Sequence, residues 1–115
     1  MFQSRLYIDG QKRGECTLKG TFNTGQTCSV SISIDEDYQK CGYSKLLWIN
    51  LIQQIEETIR PDQMIFIDAD ASGGYWEHIG FTLNRYGYDY NGKRDMEGKG
   101  YEKVITFEKL KKLTH

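Results

Sequence analysis

The spacing of apolar residues changes along this chain, and each spacing predicts a different element. The stretches "RLYID" and "ECTLKGTF" read as two strands on either side of a turn-rich "GQKRG". Asp9-Gly10, at the start of that turn, is a strong short-range hairpin signal. In "TCSVSISI" the apolar residues alternate with serines. This strict period of two predicts a third strand at about residues 27–34.

From Tyr43 the apolar period changes from two to about four. This spacing predicts an amphipathic helix with one broad buried face. We expect the helix to end at Arg60, because Pro61 lacks an amide hydrogen and disfavours helical geometry in the residue before it. The predicted buried stripe consists of Leu47, Trp48, Leu51, Ile52, Ile55 and Ile59.

The second half of the chain predicts one more strand, a short helix and a hairpin. "QMIFIDADA" is nearly continuously apolar, as expected of a strand covered on both faces. Strand, helix and strand in this order form a βαβ unit, which implies parallel pairing. "GGYWEHIGF" predicts a short helix with Gly80 as its C-cap. "TLNRYGYDY" and "GYEKVITFEKL" then predict two strands joined by a charged loop, so we expect a single α/β domain over residues 1–115 whose mixed sheet carries helices.

Composition and charge narrow the classes of function. A chain of 115 residues with 38% apolar content supports one hydrophobic core. Its net charge of −1 predicts no general attraction to nucleic acid or anionic lipid. No apolar run approaches the roughly 20 residues of a membrane span, and the first residues lack the apolar core of a secretory signal. We therefore expect a cytoplasmic protein with neither nucleic acid nor membrane as a partner. Three irregularly spaced cysteines argue against a disulfide framework and a zinc site.

The stretch "QKCGYS" lies where the third strand feeds the helix. A helix that begins there presents backbone amides without helical partners, which favour an anion such as phosphate. Gly42 lets an anion approach those amides, Ser44 adds a hydroxyl, and Lys40 and Lys45 add positive charge. Alternatively, Gly42 only permits a tight turn. The chain has neither GxxxxGK[ST] nor GxGxxG here, which disfavours an ATPase or a dinucleotide enzyme.

Two motifs resemble those of one enzyme family. "DYQKCGYSKLL", residues 37–47, is similar to the acyl-CoA-binding segment of the GCN5-related N-acetyltransferases (GNAT), whose signature is Gln or Arg, two variable residues, Gly, one variable residue, then Gly or Ala. Gln39, Gly42 and Ser44 occupy the three signature positions. "YWEHIGF", residues 75–81, resembles the family's "FYEKLGF" helix. Together the motifs cover about residues 27–90 and imply a GNAT-like acyl-CoA N-acyltransferase fold that lacks much of the N-terminal helical region.

The resemblance implies acetyl-CoA as cofactor and direct attack of an acceptor amine on its thioester. The third strand and the "QMIFIDADA" strand would separate at their carboxyl ends and leave a wedge for the pantetheine arm. The backbone near Ile32 and Ile34 would hydrogen-bond that arm, and the amides of the following loop would hold the pyrophosphate. The implied cofactor-binding residues are Ile32, Ile34, Gln39, Lys40, Cys41, Gly42, Tyr43, Ser44 and Lys45.

The general acid departs from the family pattern. The tyrosine that often protonates the leaving thiolate is second in "FYEKLGF", and Trp76 occupies that position here. Tyr75 is adjacent, but one residue along a helix turns a side chain by about 100°. Tyr75 therefore becomes the candidate catalytic acid only if the helix is rotated or slipped. Otherwise the two aromatic residues only anchor the helix on the sheet.

The general base departs from the pattern as well. The strand glutamate of some family members falls near Cys28 by spacing, and the strand has no acidic residue. Asp68 and Asp70, at the end of the apolar strand, are the carboxylates that could replace it, and we select Asp70 as the catalytic candidate. A water-mediated route is the alternative. Asp70 could instead cap the next helix together with Ser72.

The acceptor is an amine of unspecified size. Family members usually begin with a strand and two helices that wall the acceptor site, whereas only a hairpin precedes the third strand here. Either the site is open to a protein or peptide amine, or a second subunit completes it in a homodimer. Tyr86, Tyr88 and Tyr90 could line such a surface or simply belong to an exposed strand. A module that binds CoA or a protein partner without catalysis, and an unrelated interaction domain, are the competing hypotheses.

Overall fold

The computed structural model describes residues 1–20, 28–39, 41–67, 74–84 and 102–112. Its described part forms a mixed α/β architecture in which helices pack on one curved sheet. The strands are β1 (Phe2–Ile8), β2 (Gln11–Gly20), β3 (Cys28–Ile34), β4 (Met64–Ile67), β5 (Thr82–Leu83) and β6 (Lys103–Thr106). The helices are α1 (Tyr43–Ile55), α2 (Tyr75–Ile79) and α3 (Phe107–Lys111), and a single 3-10 turn, Glu36–Tyr38, follows β3.

The described strands form one six-stranded sheet in the order β1-β2-β3-β4-β6-β5. β3 and β4 run parallel, as the βαβ prediction requires, and the other neighbouring strands are antiparallel. The mixed α/β fold class is therefore confirmed. Since α1 connects the two parallel strands, its first residue lies at the carboxyl end of β3.

The predicted hairpin is present, but its turn is shorter than the predicted one. Asp9 and Gly10 both have positive φ, 52° and 79°, as a two-residue hairpin turn requires. Gln11, which we expected in the turn, already pairs with Ile8 in the ladder. β2 therefore starts at once and extends to Gly20, because the tight turn directs the chain straight back along β1.

The helix α1 buries the stripe that the four-residue period predicted. All six residues of the stripe are at most 4% exposed. The predicted end at Arg60 is wrong, since α1 ends at Ile55. The Ile55 carbonyl accepts hydrogen bonds from both Thr58 and Ile59 at 2.9 Å, so the chain tightens into turns that still bury Ile59. Pro61 sets only an outer limit for the helix.

The last predicted strand is wrong at its carboxyl end, where the chain forms α3 instead. The Thr106 side chain accepts a hydrogen bond from the Lys109 amide at 3.5 Å and so caps the helix. Phe107 and Leu110, three residues apart, are both buried. The short apolar sequence fits either period, and the threonine cap together with this spacing favours the helix.

The short predicted helix after β4 is confirmed as α2. Gly80 follows it with φ 124°, and its amide bonds back to Trp76 and Glu77, as expected of a glycine C-cap. The carboxyl part of "QMIFIDADA" and most of "TLNRYGYDY" lie outside the described residues. In the part of the chain that the structure describes, no helix has the length and apolar character needed to cross a membrane.

Candidate functional site

The two parallel strands at the centre of the sheet separate soon after they begin to pair. β3 pairs with β4 at Cys28 with Ile65 and at Ser29 with Phe66, and the described residues contain no later pair. β3 nevertheless continues to Ile34. Among the described residues, its carboxyl half has no partner on the β4 side and lines a cleft instead.

A cleft of about 350 Å³ lies here and is lined by residues from both faces of the sheet. The register pairs Leu18 with Val30 and Lys19 with Ser29, and residues directly opposite each other share a face. Leu18 and Val30 belong to the core beneath α1, so Lys19 and Ser29 lie on the opposite face. The lining residues are Lys19, Ser29, Val30, Ser31, Ile32, Ile67 and Trp76.

The β3 backbone directs polar groups toward the gap. The Asp35 amide donates to the Arg13 carbonyl of β2 at 2.7 Å. Because backbone groups of successive strand residues point to opposite sides, the N–H and C=O of Ile34 and Ile32 point toward β4. The Ile34 carbonyl accepts a hydrogen bond from Gln39 Nε2 at 2.9 Å. The edge therefore presents the Ile32 amide and carbonyl and the Ile34 amide.

The loop between β3 and α1 leaves open space at its glycine. Gly42 precedes the helix with φ 82°, and a Cβ built on it would meet no atom within 4 Å. Among the described residues, no side chain caps α1, and its first turn contains no acidic residue. Cys41 is exposed, and its Sγ lies 3.4 Å from the Gln39 carbonyl. Lys40 lies outside the described residues.

A second cavity of about 320 Å³ lies beside the first turn of α1. It is formed where α1, α2 and the end of the α3 segment meet. Two lysines, a histidine and two hydroxyl groups line it, which suits an anionic ligand. The lining residues are Ser44, Lys45, Trp48, Tyr75, His78, Ile79 and Lys112.

Tyr75, the candidate acid, lies against α1. The indole nitrogen of Trp48 donates a hydrogen bond to the Tyr75 phenol oxygen at 2.8 Å, and Ser44 also hydrogen-bonds to the phenol. Burial raises the pKa of Tyr75, and these two hydrogen bonds partly offset that rise. The phenol therefore stays protonated at neutral pH, as a proton donor must.

Trp76 occupies the cleft between the strands while Tyr75 lines the other cavity. The Trp76 ring lies edge-on to the rings of Trp48, Tyr75 and Phe81, and the centroid distances are 6.1, 5.3 and 5.1 Å. The two adjacent residues therefore point into different cavities. The fold brings Tyr75 together with Ser44 and Lys45, and it places Trp76 near Ile32.

Of the positions considered for the general base, one is buried and two lie outside the described residues. Cys28, at the position that a glutamate occupies in some relatives, is buried, and burial raises its pKa to about 11. A thiol that is protonated at neutral pH is a poor base. Asp68 and Asp70 lie outside the described residues, as do Tyr86, Tyr88 and Tyr90.

Three features of the site were missed from the sequence. Lys19 lines the cleft, and Lys112 lines the second cavity from the far end of the chain. Lys103 is buried on β6, and its Nζ lies 2.6 Å from Glu77 Oε1 of α2. A lysine inside an otherwise apolar strand pattern is a signal for such a pair, whereas nothing in the sequence marks Lys19 or Lys112.

Comparisons of sequence find no relative for this chain. No protein-family model matches it, and no curated protein matches it either.

Three solved structures that share the fold are N-acetyltransferases. The N-acetylglutamate synthase of Neisseria gonorrhoeae, complexed with coenzyme A and N-acetyl-glutamate, superposes with a TM-score of 0.65 at 18% identity over 91% of this chain. A second structure of that enzyme, with coenzyme A and L-arginine, gives 0.63 at 19% identity over 90% of this chain. The ribosomal-protein-S18-alanine N-acetyltransferase of Escherichia coli gives 0.53 at 21% identity over 88%.

The matches cover only part of each solved protein. The alignments span 25% and 24% of the synthase chains and 63% of the S18-alanine enzyme. At these identities the likeness establishes the fold. The chain has the GNAT fold, as the two motifs predicted.

Proposed function

We propose that this chain, which has the fold of the GCN5-related N-acetyltransferases, is an acetyl-CoA-dependent N-acetyltransferase acting on an amine acceptor by direct attack. The observation that carries the proposal is the separation of β3 from β4 beside the glycine loop. Among the described residues, the carboxyl half of β3 has no partner on the β4 side, and no side chain caps the helix that follows it. The cytoplasm is the proposed location.

The residues that would hold the cofactor fit an extended amide-containing arm with a diphosphate. The Ile32 edge and the Ile34 amide would hydrogen-bond the arm in place of a neighbouring strand. The amides from Lys40 to Lys45 would hold the diphosphate, since the space at Gly42 is open and the helix dipole favours negative charge. Ser44 and Lys45 line the adjoining cavity together with His78 and Lys112.

When bound, acetyl-CoA supplies an activated acetyl thioester. The chain's own residues orient it, exclude water and supply a proton. Tyr75 is the proposed acid, because its phenol is protonated and its oxygen is fixed by the Trp48 indole. From its position beside α1, Tyr75 would donate its proton into the cavity that it lines with Ser44 and Lys45. Asp70 is the proposed base.

Calorimetry tests whether the chain binds the proposed cofactor. A folded sample should bind acetyl-CoA and also desulfo-CoA, because the loop and the strand edge grip parts common to both. Mixed with a panel of amines, it should then release free CoA thiol and acetylated product. A folded sample that binds neither compound would rule the function out.

A catalytically degenerate GNAT-like module is the second candidate, and Trp76 is the observation that favours it. The indole stands at the position of the family's acidic tyrosine, is 8% exposed and lines the cleft. Such a module would bind CoA, or a protein partner, without transfer. Unchanged acetyl-CoA after long incubation with amines, peptides and polyamines would favour this candidate.

A further inference from the structure

Lys19, on β2, lines the cleft between β3 and β4. It is the charged member of the described residues that line this cleft, and it is exposed. None of the described carboxylates pairs with its ammonium. Glu15, on the same strand and face, is already bonded to Lys12 at 3.0 Å. A lysine that lines a cleft and pairs with none of the described carboxylates favours an anionic group in that cleft.

The polar part of the cleft lies on the face opposite to α1. Lys19 and Ser29 are directly opposite each other in the ladder, and Ser31 follows on the same face. The apolar part, formed by Ile67 and Trp76, lies deeper. The proposed diphosphate loop lies beyond the carboxyl end of β3, at the start of α1. The cofactor and the acceptor would thus approach the gap from opposite faces of the sheet.

We propose that the acceptor is a small amine that also carries a carboxylate, namely an amino acid. Lys19 binds that carboxylate, and the hydroxyls of Ser29 and Ser31 donate hydrogen bonds to it. The uncharged amine then points to the gap, where its nitrogen attacks the thioester carbonyl carbon. The C–S bond breaks and an amide forms, while the amine loses its proton to the proposed base and the proposed acid, Tyr75, protonates the CoA thiolate. The same ammonium repels polyamines, so Lys19 determines specificity.

This inference rests on the proposed function, and kinetics with paired acceptors tests it. Each of the common amino acids is compared with its α-amide, and spermidine and a lysine-containing peptide serve as cationic acceptors. We expect KM to be about tenfold lower for at least one amino acid than for its amide, the usual size of a charge-assisted hydrogen bond. Lys19→Gln should abolish that difference and leave KM for acetyl-CoA unchanged.

Two further variants separate charge from structure. Lys19→Arg should keep the preference for the carboxylate, and Lys109→Gln, which removes an exposed lysine that lines neither cavity of the candidate site, should change neither KM. Calorimetry with CoA is done first on every variant. A sample that binds no CoA contradicts the proposed function itself. A CoA-binding sample that acetylates no amino acid, prefers amides or spermidine, or ignores Lys19→Gln overturns the inference about the acceptor alone.

Discussion

The indole nitrogen of Trp48 donates a hydrogen bond to the phenol oxygen of Tyr75 across 2.8 Å. This bond joins α1, which begins at the proposed diphosphate loop, to α2, which carries the aromatic pair. Because the indole N–H occupies one lone pair of the phenol oxygen, the O–H hydrogen can still be directed elsewhere. This hydrogen bond thus connects the helix that follows the proposed diphosphate loop to the proposed acid, Tyr75.

Tyr75→Phe tests the acid role, with Trp48→Phe as the matched control. Both variants remove the bond between Trp48 and Tyr75. Tyr75→Phe also removes the bond to Ser44, and Trp48→Phe also leaves a cavity at a buried ring, so each should lower the free energy of unfolding by about 1–3 kcal/mol or more. Only Tyr75→Phe also removes the proton donor, so it should lower kcat by about 10²-fold or more. Steady-state kinetics and urea unfolding measure the two effects. An equal loss of kcat in both variants would mean that the phenol only positions α2.

Gly42→Ala tests the diphosphate loop, with Gly10→Ala as its control. Both glycines have φ near +80° and open space around the missing Cβ, so each substitution should cost about 1–2 kcal/mol of stability through backbone strain. Only Gly42→Ala should weaken CoA binding, by about tenfold or more, because its methyl group stands in front of the helix amides. Calorimetry measures this difference. Equal CoA affinity in the two variants would place the diphosphate elsewhere.

Cys28 predicts how stability depends on alkaline pH. Burial raises its pKa from 9.0 to about 11, so the folded state holds a proton that the unfolded chain releases above pH 9. This contribution to stability is complete below about pH 9 and is lost as pH rises through about 11. It amounts to about 2–3 kcal/mol. Urea unfolding between pH 8 and 11 should show a smaller decline for Cys28→Ala than for the natural chain.

Cys41→Ala is the control for that series. Cys41 is exposed, so Cys41→Ala controls for the general effect of replacing a cysteine by alanine. Identical slopes for all three proteins would show that Cys28 is accessible to solvent in the folded state. Cys16 and Tyr75, whose pKa values burial also raises, account for the decline that should persist in Cys28→Ala.

The Lys103–Glu77 pair predicts a local effect on α2. The Lys103 side chain is 6% exposed, and that of Glu77 is 60% exposed. Glu77→Gln removes the carboxylate at 2.6 Å from a buried ammonium. Because Glu77 itself is solvated, we expect a loss of only about 1–2 kcal/mol in unfolding free energy. The helix carries Tyr75, so kcat should fall as well.

Glu56→Gln is the matched control for this pair. It removes the carboxylate 4.0 Å from Lys111 in a pair whose side chains are both about 40% exposed. Its cost should stay within about 0.5 kcal/mol. If Glu77→Gln costs no more than Glu56→Gln, the buried lysine does not depend on Glu77.

Elements whose residues share one strong period were predictable from the chain. In β3 the apolar residues alternate with serines, and in α1 they recur about every four residues. Each pattern marks one face for burial, and the structure has a strand and a helix at these positions. The parallel pairing followed from their order. The prediction was wrong at Phe107–Lys111, because this short apolar run fits both the strand period and the helix period. It was also wrong at the end of α1, because hydrogen-bonded turns at Thr58 and Ile59 end the helix before Pro61.

The candidate site was predictable where it depends on backbone, and not where it depends on distant side chains. Gly42 and the strand edge at Ile32 could be proposed because their roles depend on local geometry. The bond between Trp48 and Tyr75 joins residues 27 positions apart, and Lys103 bonds to Glu77 across 26. Local patterns carry no information about which distant side chains will meet.

The sequence by itself determined the order of the elements, the glycine at the start of α1 and the two motifs of the GNAT fold, because each depends on residues close together in the chain. Only the tertiary structure decided where β3 leaves β4, which cavity Tyr75 and Trp76 each face, and that Lys19 stands at the cleft. Those outcomes depend on packing between segments far apart in sequence, where the burial of side chains, rather than local spacing, selects the neighbours.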